Sequence, residues 1–555
     1  MRRPVRPTAA EVVSILTAAF AAERRRLQGD EGGAVAVVFA IAFSVVFLTA
    51  AVAFDFGRLQ SDHMRTQNAI DSAALAAAHH MGLPDEQTSG KQTAESYFKA
   101  NTVNRTGRSL TDENGKLLDT QIDSSKGEVR SRTVSEVTAS LMKAIGISTL
   151  GHSAKSLVKK GDNTVEIALV LDNSGSMAGQ PIIDLRTAAA NLVNVVYVGA
   201  DNAGLNEQVK VAVVPFAGSV NVGAEYRSAD WMDRTGTAPT HSENFDATKS
   251  RFQLFDAMNV SWGGCVEARP SPHDVSESPP DGTLARQFVP MFAPDEPDSG
   301  NSGGKSYTNS YLSDFGGSCP VPPKVCPVGM STCTSAQKVP QPIAPDLAQK
   351  RTCKYAGATA NTSAAYGSQK GPNFLCDSRA LMRMTTNKQA VLDAISAQQA
   401  KGGTNIVEGI MWGWRTLSSA APFMDGRAYN TPKNTKYLIV MTDGENWHGS
   451  LDNQNKSWYH SFGYAVKNRL GTTHTTSALK TQMNKKTLAA CTNAKAAGIK
   501  VYTVAFRLDA DPTTRELLKS CATESANAFV ANDGGALISA FEAIGREISK
   551  LRVAG

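Results

Sequence analysis

The sequence lacks most of the signatures by which a chain of this length would declare itself an enzyme. No two of the eight cysteines stand in C-x-x-C spacing, so neither a zinc ribbon nor a thioredoxin-like centre is written in it. No H-E-x-x-H supports a zinc hydrolase. Gly304-Lys305-Ser306 resembles the end of a phosphate loop, but Ser299 stands where that motif needs glycine, and the segment lies in Pro-rich chain. Ser176 is not framed as G-x-S-x-G, and no histidine is placed by sequence as its base; His448 and His460 read as surface residues of a loop. Charge of one sign is also scarce. Lys plus Arg 57 against Asp plus Glu 51 leaves +6, without the dense basic stripe of a nucleic-acid binder. Only one long apolar run occurs, which excludes a multi-span membrane protein, and 41% hydrophobic residues exclude wholesale disorder.

That one run, Ala34 to Phe54, carries no charge. As a helix rising about 1.5 Å per residue it crosses roughly 30 Å of hydrocarbon. A cleaved signal peptide is the rival reading, because Ala51 and Ala53 form an A-x-A-like site, but the run exceeds the usual apolar region of such peptides. Arg2, Arg3, Arg6, Arg24, Arg25 and Arg26 precede it, and only Arg58 and Arg65 follow closely. Positive charge stays inside, so the N-terminus is expected in the cytoplasm and the rest outside. Leu59, Ile70, Ala73, Ala74, Ala77 and Met81 continue on one helical face, extending the helix to about His80.

At 555 residues the chain should hold two to four structural units. Residues 1–33 form a basic N-terminus, 34–80 the anchor and its extension, and 81–160 a small α+β or β linker region with half-exposed strands between Gln121 and Lys159. From Val165 the run VEIALVL suits a strand buried on both faces. Helical patterns at 182–198, 388–399, 407–417, 488–497 and 536–551 alternate with strands at 209–215, 437–442 and 500–506. This alternation predicts an α/β fold with a doubly wound, mostly parallel sheet flanked by helices. Two stretches interrupt it, at about 217–385 and 446–485, each following a strand. The longer one carries Cys265, Cys319, Cys326, Cys333, Cys353 and Cys376, and reads as a disulfide-stapled subdomain with disordered parts whose pairing is not deducible. Cys491 and Cys521 form a separate candidate pair around the strand KVYTVAF.

Directly after the first buried strand comes Asp172-Asn173-Ser174-Gly175-Ser176. Asp172, Ser174 and Ser176 can converge on one point and offer hard oxygens, the ligand type preferred by Mg²⁺, Mn²⁺ or Ca²⁺. Thr404 in Lys401-Gly402-Gly403-Thr404-Asn405, and Asp443 in Thr442-Asp443-Gly444, supply two more from loops expected at the same sheet edge. Asp and Ser are also common turn and cap residues, and this is the plain alternative for the first motif taken alone.

These residues resemble the von Willebrand factor type A (vWA) family, whose metal-ion-dependent adhesion site is built from D-x-S-x-S, a loop threonine and a loop aspartate. The resemblance assigns 161–555 to a vWA domain with the two insertions. It implies direct metal contact by Ser174, Ser176 and Thr404, with Asp172 and Asp443 acting largely through waters. It further implies capture of an acidic side chain from a protein partner, which is binding and not turnover.

The N-terminal pattern resembles the TadG-like segment of Tad (Flp) pilus-assembly proteins. It comprises Glu31-Gly32-Gly33, Asp55-Phe56-Gly57-Arg58, Gln67-Asn68-Ala69-Ile70-Asp71 and Ala73 to Ala78. Trp262 to Pro270 (WGGCVEARP) and the ending Ala540 to Arg552 are also similar to that family. The resemblance implies a non-enzymatic, single-pass inner-membrane component of the tight-adherence machinery with an extracytoplasmic C-terminal domain and Tad pilus or secretion components as partners. No prepilin-type cleavage is expected at Glu31-Gly32-Gly33. The alternatives are a structural anchor whose metal only stabilises the fold, and a vWA membrane protein of the envelope outside pilus assembly.

Overall fold

The computed structural model describes residues 34–78, 80, 86–103, 107–110, 117–123, 128–159, 163–197, 208–246, 249–298, 304–305, 307–327, 329–341, 343–365, 368–472 and 474–550. The basic N-terminus with Glu31-Gly32-Gly33, and the residues Met81, Ser299, Ser306, Leu551 and Arg552, lie outside them. The chain divides into two compact units at Lys160/Gly161.

In the first unit a single helix, α1 (Ala34–Ala78), is followed by α2 (Lys91–Thr102) and four strands: β1 (Gly107–Leu110), β2 (Asp119–Asp123), β3 (Glu128–Thr138) and β4 (Thr149–Lys159). All pairings are antiparallel; β1 and β2 share one edge of β3, and β4 takes the other. The two halves of α1 differ. Its first half exposes Val38, Phe39, Phe43 and Val46, and the helix is long and apolar enough to cross a membrane. Its second half buries Ala69, Ile70, Ala73, Ala74 and Ala77 against Phe98, Val129 and Ala154. Alanine at four of those five positions lets the helix axis approach the sheet closely, and Gln67 Nε2 donates to the Lys155 carbonyl at 3.0 Å. The region after Ala78 shares one core with the helix that precedes it, and it contains α2, which carries too few apolar residues to stand out by periodicity.

The second unit is built on a six-stranded sheet. Its strands are β5 (Thr164–Asp172), β6 (Val209–Phe216), β7 (Met382–Thr385), β8 (Asn434–Thr442), β9 (Lys500–Phe506) and β10 (Ala528–Ala531), in spatial order β7-β6-β5-β8-β9-β10. Only β7, at the edge, is antiparallel to its neighbour. Side chains alternate along β5. Ile167, Leu169 and Leu171 pack on helices α3 (Gln180–Tyr197), α4 (Lys388–Ser396) and α8 (Gly534–Lys550), whereas Ala168 and Val170 face α5 (Ile406–Leu417), α6 (Thr476–Ala496) and α7 (Pro512–Cys521). Gly409 and Gly413 let α5 lie directly on the sheet, since a β-carbon there would stand 2.7 Å from Phe216 and 2.4 Å from Val170.

The structure changes several expectations. The longer insertion ends before β7, which belongs to the main sheet. Much of it packs on α5, whose every residue is buried, while the stretch around Cys326–Cys333 is largely exposed. Trp231, Phe252, Phe288 and Phe292 join Trp412 in one core with the sheet. The shorter insertion ends at Thr475, which caps α6 by accepting from the Ala478 N–H. Leu479 and Met483 continue the buried stripe through Thr487, Ala490 and Ala494, a periodicity masked by the polar residues between them. Helix α7 and strand β10 were not expected from the sequence. All eight cysteines are paired: Cys265–Cys376, Cys319–Cys353, Cys326–Cys333 and Cys491–Cys521.

Candidate functional site at the carboxyl edge of the sheet

From β5 the chain builds outward to β6 and β7, then returns past β5 to lay down β8, β9 and β10. The strand order therefore reverses between β5 and β8. The loops leaving their carboxyl ends splay apart there, and open α/β sheets bind ligands in that crevice. Asp172 is the last residue of β5, and Asp443 follows the last residue of β8.

The loop after β5 is held from three directions. Asn173 N–H donates to the Phe216 carbonyl at 2.7 Å, Lys401 N–H to the Asn173 carbonyl at 2.7 Å, and Gly175 N–H to the Gly402 carbonyl at 2.9 Å. The last two tie the first motif to Lys401-Gly402-Gly403-Thr404-Asn405, more than 200 residues away in sequence. Gly402 has φ +87°, a conformation open to glycine at little cost. Gly403 has no room for a side chain, because a β-carbon would meet the Trp447 ring at 2.7 Å. Asn405 caps α5 by accepting from Glu408 N–H at 3.3 Å, which fixes where Thr404 stands at the helix entrance.

The predicted side chains are brought together. Asp172 Oδ1 accepts from Ser174 N–H at 2.7 Å. The Ser174 and Ser176 hydroxyls are 2.9 Å apart, and Ser176 Oγ donates to Asp443 Oδ1 at 2.6 Å. Thr404 Oγ1 and Ser176 Oγ lie 3.5 and 3.6 Å from the point a β-carbon on Gly444 would occupy, so this glycine keeps a small cradle open between the two hydroxyls. Asp172, Ser174 and Thr404 are buried, and Asp443 and Ser176 form the open side.

Burial raises Asp172, and the nearby Asp443 carboxylate raises it further, to about 7 against the pull of Ser174 and Thr442. Burial also raises Asp443, with Ser176 opposing. Two carboxylates forced together out of water are a place where positive charge is stabilising. The donors are hard oxygens without nitrogen or sulfur, the set suited to a hard divalent cation. Among the described residues no three His, Cys, Asp or Glu side chains cluster closely enough to hold a metal, and the hydroxyls carry most of this set.

Sequence reasoning missed three contributors. Thr442 donates its hydroxyl to Asp172 Oδ2 and so orients the buried carboxylate; its place one residue before Asp443, at a strand end, was the available signal. Asn446 Oδ1 accepts from Ile406 N–H at 2.9 Å, joining the third loop to α5. Trp447, half-exposed, donates its backbone N–H to the Thr404 carbonyl at 2.9 Å and walls the site. His448 and His460 are buried and stacked at 4.5 Å between centroids; neither lies on the surface, because the loop carrying them folds inward over the sheet edge. Lys305 of the discarded phosphate-loop pattern is paired with Asp452 at 2.5 Å.

Residues 33–80 match the family model for putative Flp pilus-assembly TadE/G-like proteins. No curated protein matches the sequence. Among solved structures, the chain is similar to the vWF domain of the type V pili tip protein Mfa5 from Porphyromonas gingivalis, with 11% identity over 71% of this chain and 97% of that one and a TM-score of 0.31. It is similar to the pilus adhesin SpaC from Lactobacillus rhamnosus GG, with 12% identity over 81% of this chain and 36% of that one and a TM-score of 0.30. The PilB minor pilin from Streptococcus sanguinis gives 10% identity over 80% and 77%, with a TM-score of 0.29. At these scores the likeness fixes no residue role.

Proposed function

We propose that this chain, pilus-associated through its TadE/G-like segment, is a non-enzymatic Tad (Flp) pilus-assembly component anchored in the inner membrane by α1. In this reading the N-terminus is cytoplasmic, and the second unit is an extracytoplasmic, doubly wound vWA domain that captures a protein partner through a divalent metal. The observation that carries the reading is the meeting of Asp172, Ser174, Ser176, Thr404 and Asp443 from three separate loops at the point where strand order reverses. Ser174, Ser176 and Thr404 would hold Mg²⁺ (or Mn²⁺ or Ca²⁺) by their hydroxyls, with Asp172 and Asp443 balancing its charge. When bound, such a cation supplies an electrophilic position that an acidic side chain of the partner can occupy. The chain's own residues orient the site: Thr442 turns Asp172, Gly402 and Gly403 bring Thr404 close, and Trp447 bounds the approach.

Titrating the full chain in lipid nanodiscs with Mn²⁺ and Mg²⁺ by calorimetry tests this. Binding is expected for the unmodified chain and is lost in Asp172→Ala; equal heats from both chains would overturn the reading. Thr404→Ala should weaken binding about tenfold, a loss of roughly 1.4 kcal/mol. A second reading, a structural anchor whose metal only stabilises the fold, is favoured by the core that the second half of α1 shares with the sheet of the first unit. Pilus assembly that survives Thr404→Ala and Asp443→Ala, but fails when 34–78 is exchanged for an unrelated anchor, would favour that role.

A further inference from the structure

The hairpin joining β3 to β4 has an unusual tip. Turns at strand ends are normally rich in Gly, Asn, Asp, Pro and Ser, whose backbone freedom, fixed φ or short polar side chains suit a tight reversal. Here the connection reads Ala139-Ser140-Leu141-Met142-Lys143-Ala144-Ile145-Gly146-Ile147-Ser148, with no acidic residue and one cation. Ile145 is 36% exposed, Lys143 and Ala144 are exposed, and Leu141 and Ile147 are partly so.

The position of this tip along α1 is fixed by hydrogen bonds. Asp55 Oδ1 accepts from Ser140 N–H at 2.8 Å, and Asp55 Oδ2 accepts from Leu141 N–H at 2.8 Å and Met142 N–H at 2.7 Å. Arg58, one turn on, donates to the Thr138 carbonyl at 3.2 Å and to the Ser140 hydroxyl. Asp55 is the first charged residue after the uncharged stretch Ala34–Phe54, and that stretch has about the length of a bilayer's hydrocarbon core. The apolar tip is therefore held level with the end of the lipid-spanning stretch, where Phe54 and Phe56, the sequence neighbours of Asp55, are exposed.

We propose that the β3–β4 tip is a second membrane contact. Leu141, Ile145 and Ile147 enter the boundary between headgroups and acyl chains, and Lys143 and Arg58 reach toward lipid phosphates. The occupant is the surface of the same bilayer that holds α1, so the proposal rests on the anchor reading. Apolar side chains that would be costly in water are stabilised there, and a long cationic side chain can extend its ammonium into the headgroup layer. The contact also shields Asp55: its carboxylate meets three N–H donors where a bare charge would otherwise border hydrocarbon. The first unit would then stand on the membrane at two points, and its sheet could not swivel freely about α1.

The test uses the full chain in nanodiscs of phosphatidylcholine with phosphatidylglycerol, carrying a photoreactive benzophenone amino acid in place of Ile145 or of Leu157. Leu157 is equally open, 41% exposed, but lies near the far end of β4. Lipid adducts detected by mass spectrometry are expected at position 145 in about tenfold excess over 157. Equal yields in chains that enter the nanodisc would overturn the proposal and leave the anchor intact. A chain that fails to enter the nanodisc would overturn both.

Discussion

The two faces of the large sheet are covered by different means. On one, α3, α4 and α8 lay mainly aliphatic stripes on Ile167, Leu169 and Leu171, and among the described residues that core holds neither disulfide nor buried ion pair. On the other, α5 is buried under the long insertion, where aromatic rings and buried guanidiniums fill the space and the Cys491–Cys521 bridge joins the same core. Helices satisfy their own backbone polar groups; irregular chain does not, and buried carbonyls must find donors elsewhere. Arg269 makes the point: its guanidinium donates to the carbonyls of His273, Ser276, Ser278, Glu277 and Arg286 while stacking on Phe288 at 4.7 Å. Arg251 likewise serves Thr240, His241 and Pro290, and it shares Glu267 with Arg469. Between its short helices and strands, the insertion satisfies buried carbonyls with arginine side chains.

If so, disturbing these groups should exceed ordinary core losses. Glu267→Ala leaves Arg251 buried without its carboxylate and Arg469 with Glu243 alone, and should cost about 3–5 kcal/mol in urea denaturation. All six tryptophans lie in the second unit, from Trp231 to Trp458, so their fluorescence reports that unit. A loss below 1 kcal/mol would mean that the ionic cluster is not what holds the insertion.

Removing Cys265–Cys376, which closes a loop with a sequence separation of 111, should cost about 3 kcal/mol in the double Ser variant. Amide exchange should rise in the insertion and leave α3 and α8 protected; uniform deprotection would erase the distinction between the faces.

The pH response should separate them too. Burial lowers His448 to about 4 from an ordinary 6.5, and it depresses stacked His460 as well. The folded form resists protonation and the unfolded form does not. Stability is therefore fully present above about pH 6.5 and is lost as pH falls toward 4. His448 alone should remove about 2 kcal/mol by pH 5, at about 1.4 kcal/mol per pH unit. The difference between His448→Phe and the unmodified chain across a pH series of denaturation curves measures this; parallel curves would refute it. On the opposite face, Ile544→Val should cost only about 1 kcal/mol by the same denaturation assay, and it should be insensitive to pH and reductant.

Legibility followed regular periodicity on both faces, α5 included, and failed in the insertions. The buried strands VEIALVL and YLIVMT and the helices of the aliphatic face were readable because periodicity in sequence is periodicity in space. The five candidate side chains could be picked out from the sequence, since D-x-S-x-S and T-D-G sit at strand ends and Gly402-Gly403-Thr404 at a helix entrance, where the chain must turn. Thr442 was visible but unassigned, because which hydroxyl meets Asp172 depends on the pairing of β5 with β8. His448 and His460 were misjudged as surface residues because a polar loop reads as exposed until something is seen to cover it. Helix α6 began earlier than expected, since Leu479 and Met483 are isolated among polar neighbours.

The sequence by itself determined the apolar span, the parallel strands and the oxygen-bearing side chains at the strand ends, for each rests on local composition or spacing. Only the tertiary structure decided that 401–405 meets 172–176, that the insertion seals α5 and not a space of its own, which cysteines pair, and that the β3–β4 tip sits level with Asp55. Those outcomes depend on contacts between segments far apart in the chain. Many pairings of polar, Gly-rich loops satisfy the same local rules, and only packing against a common core selects one.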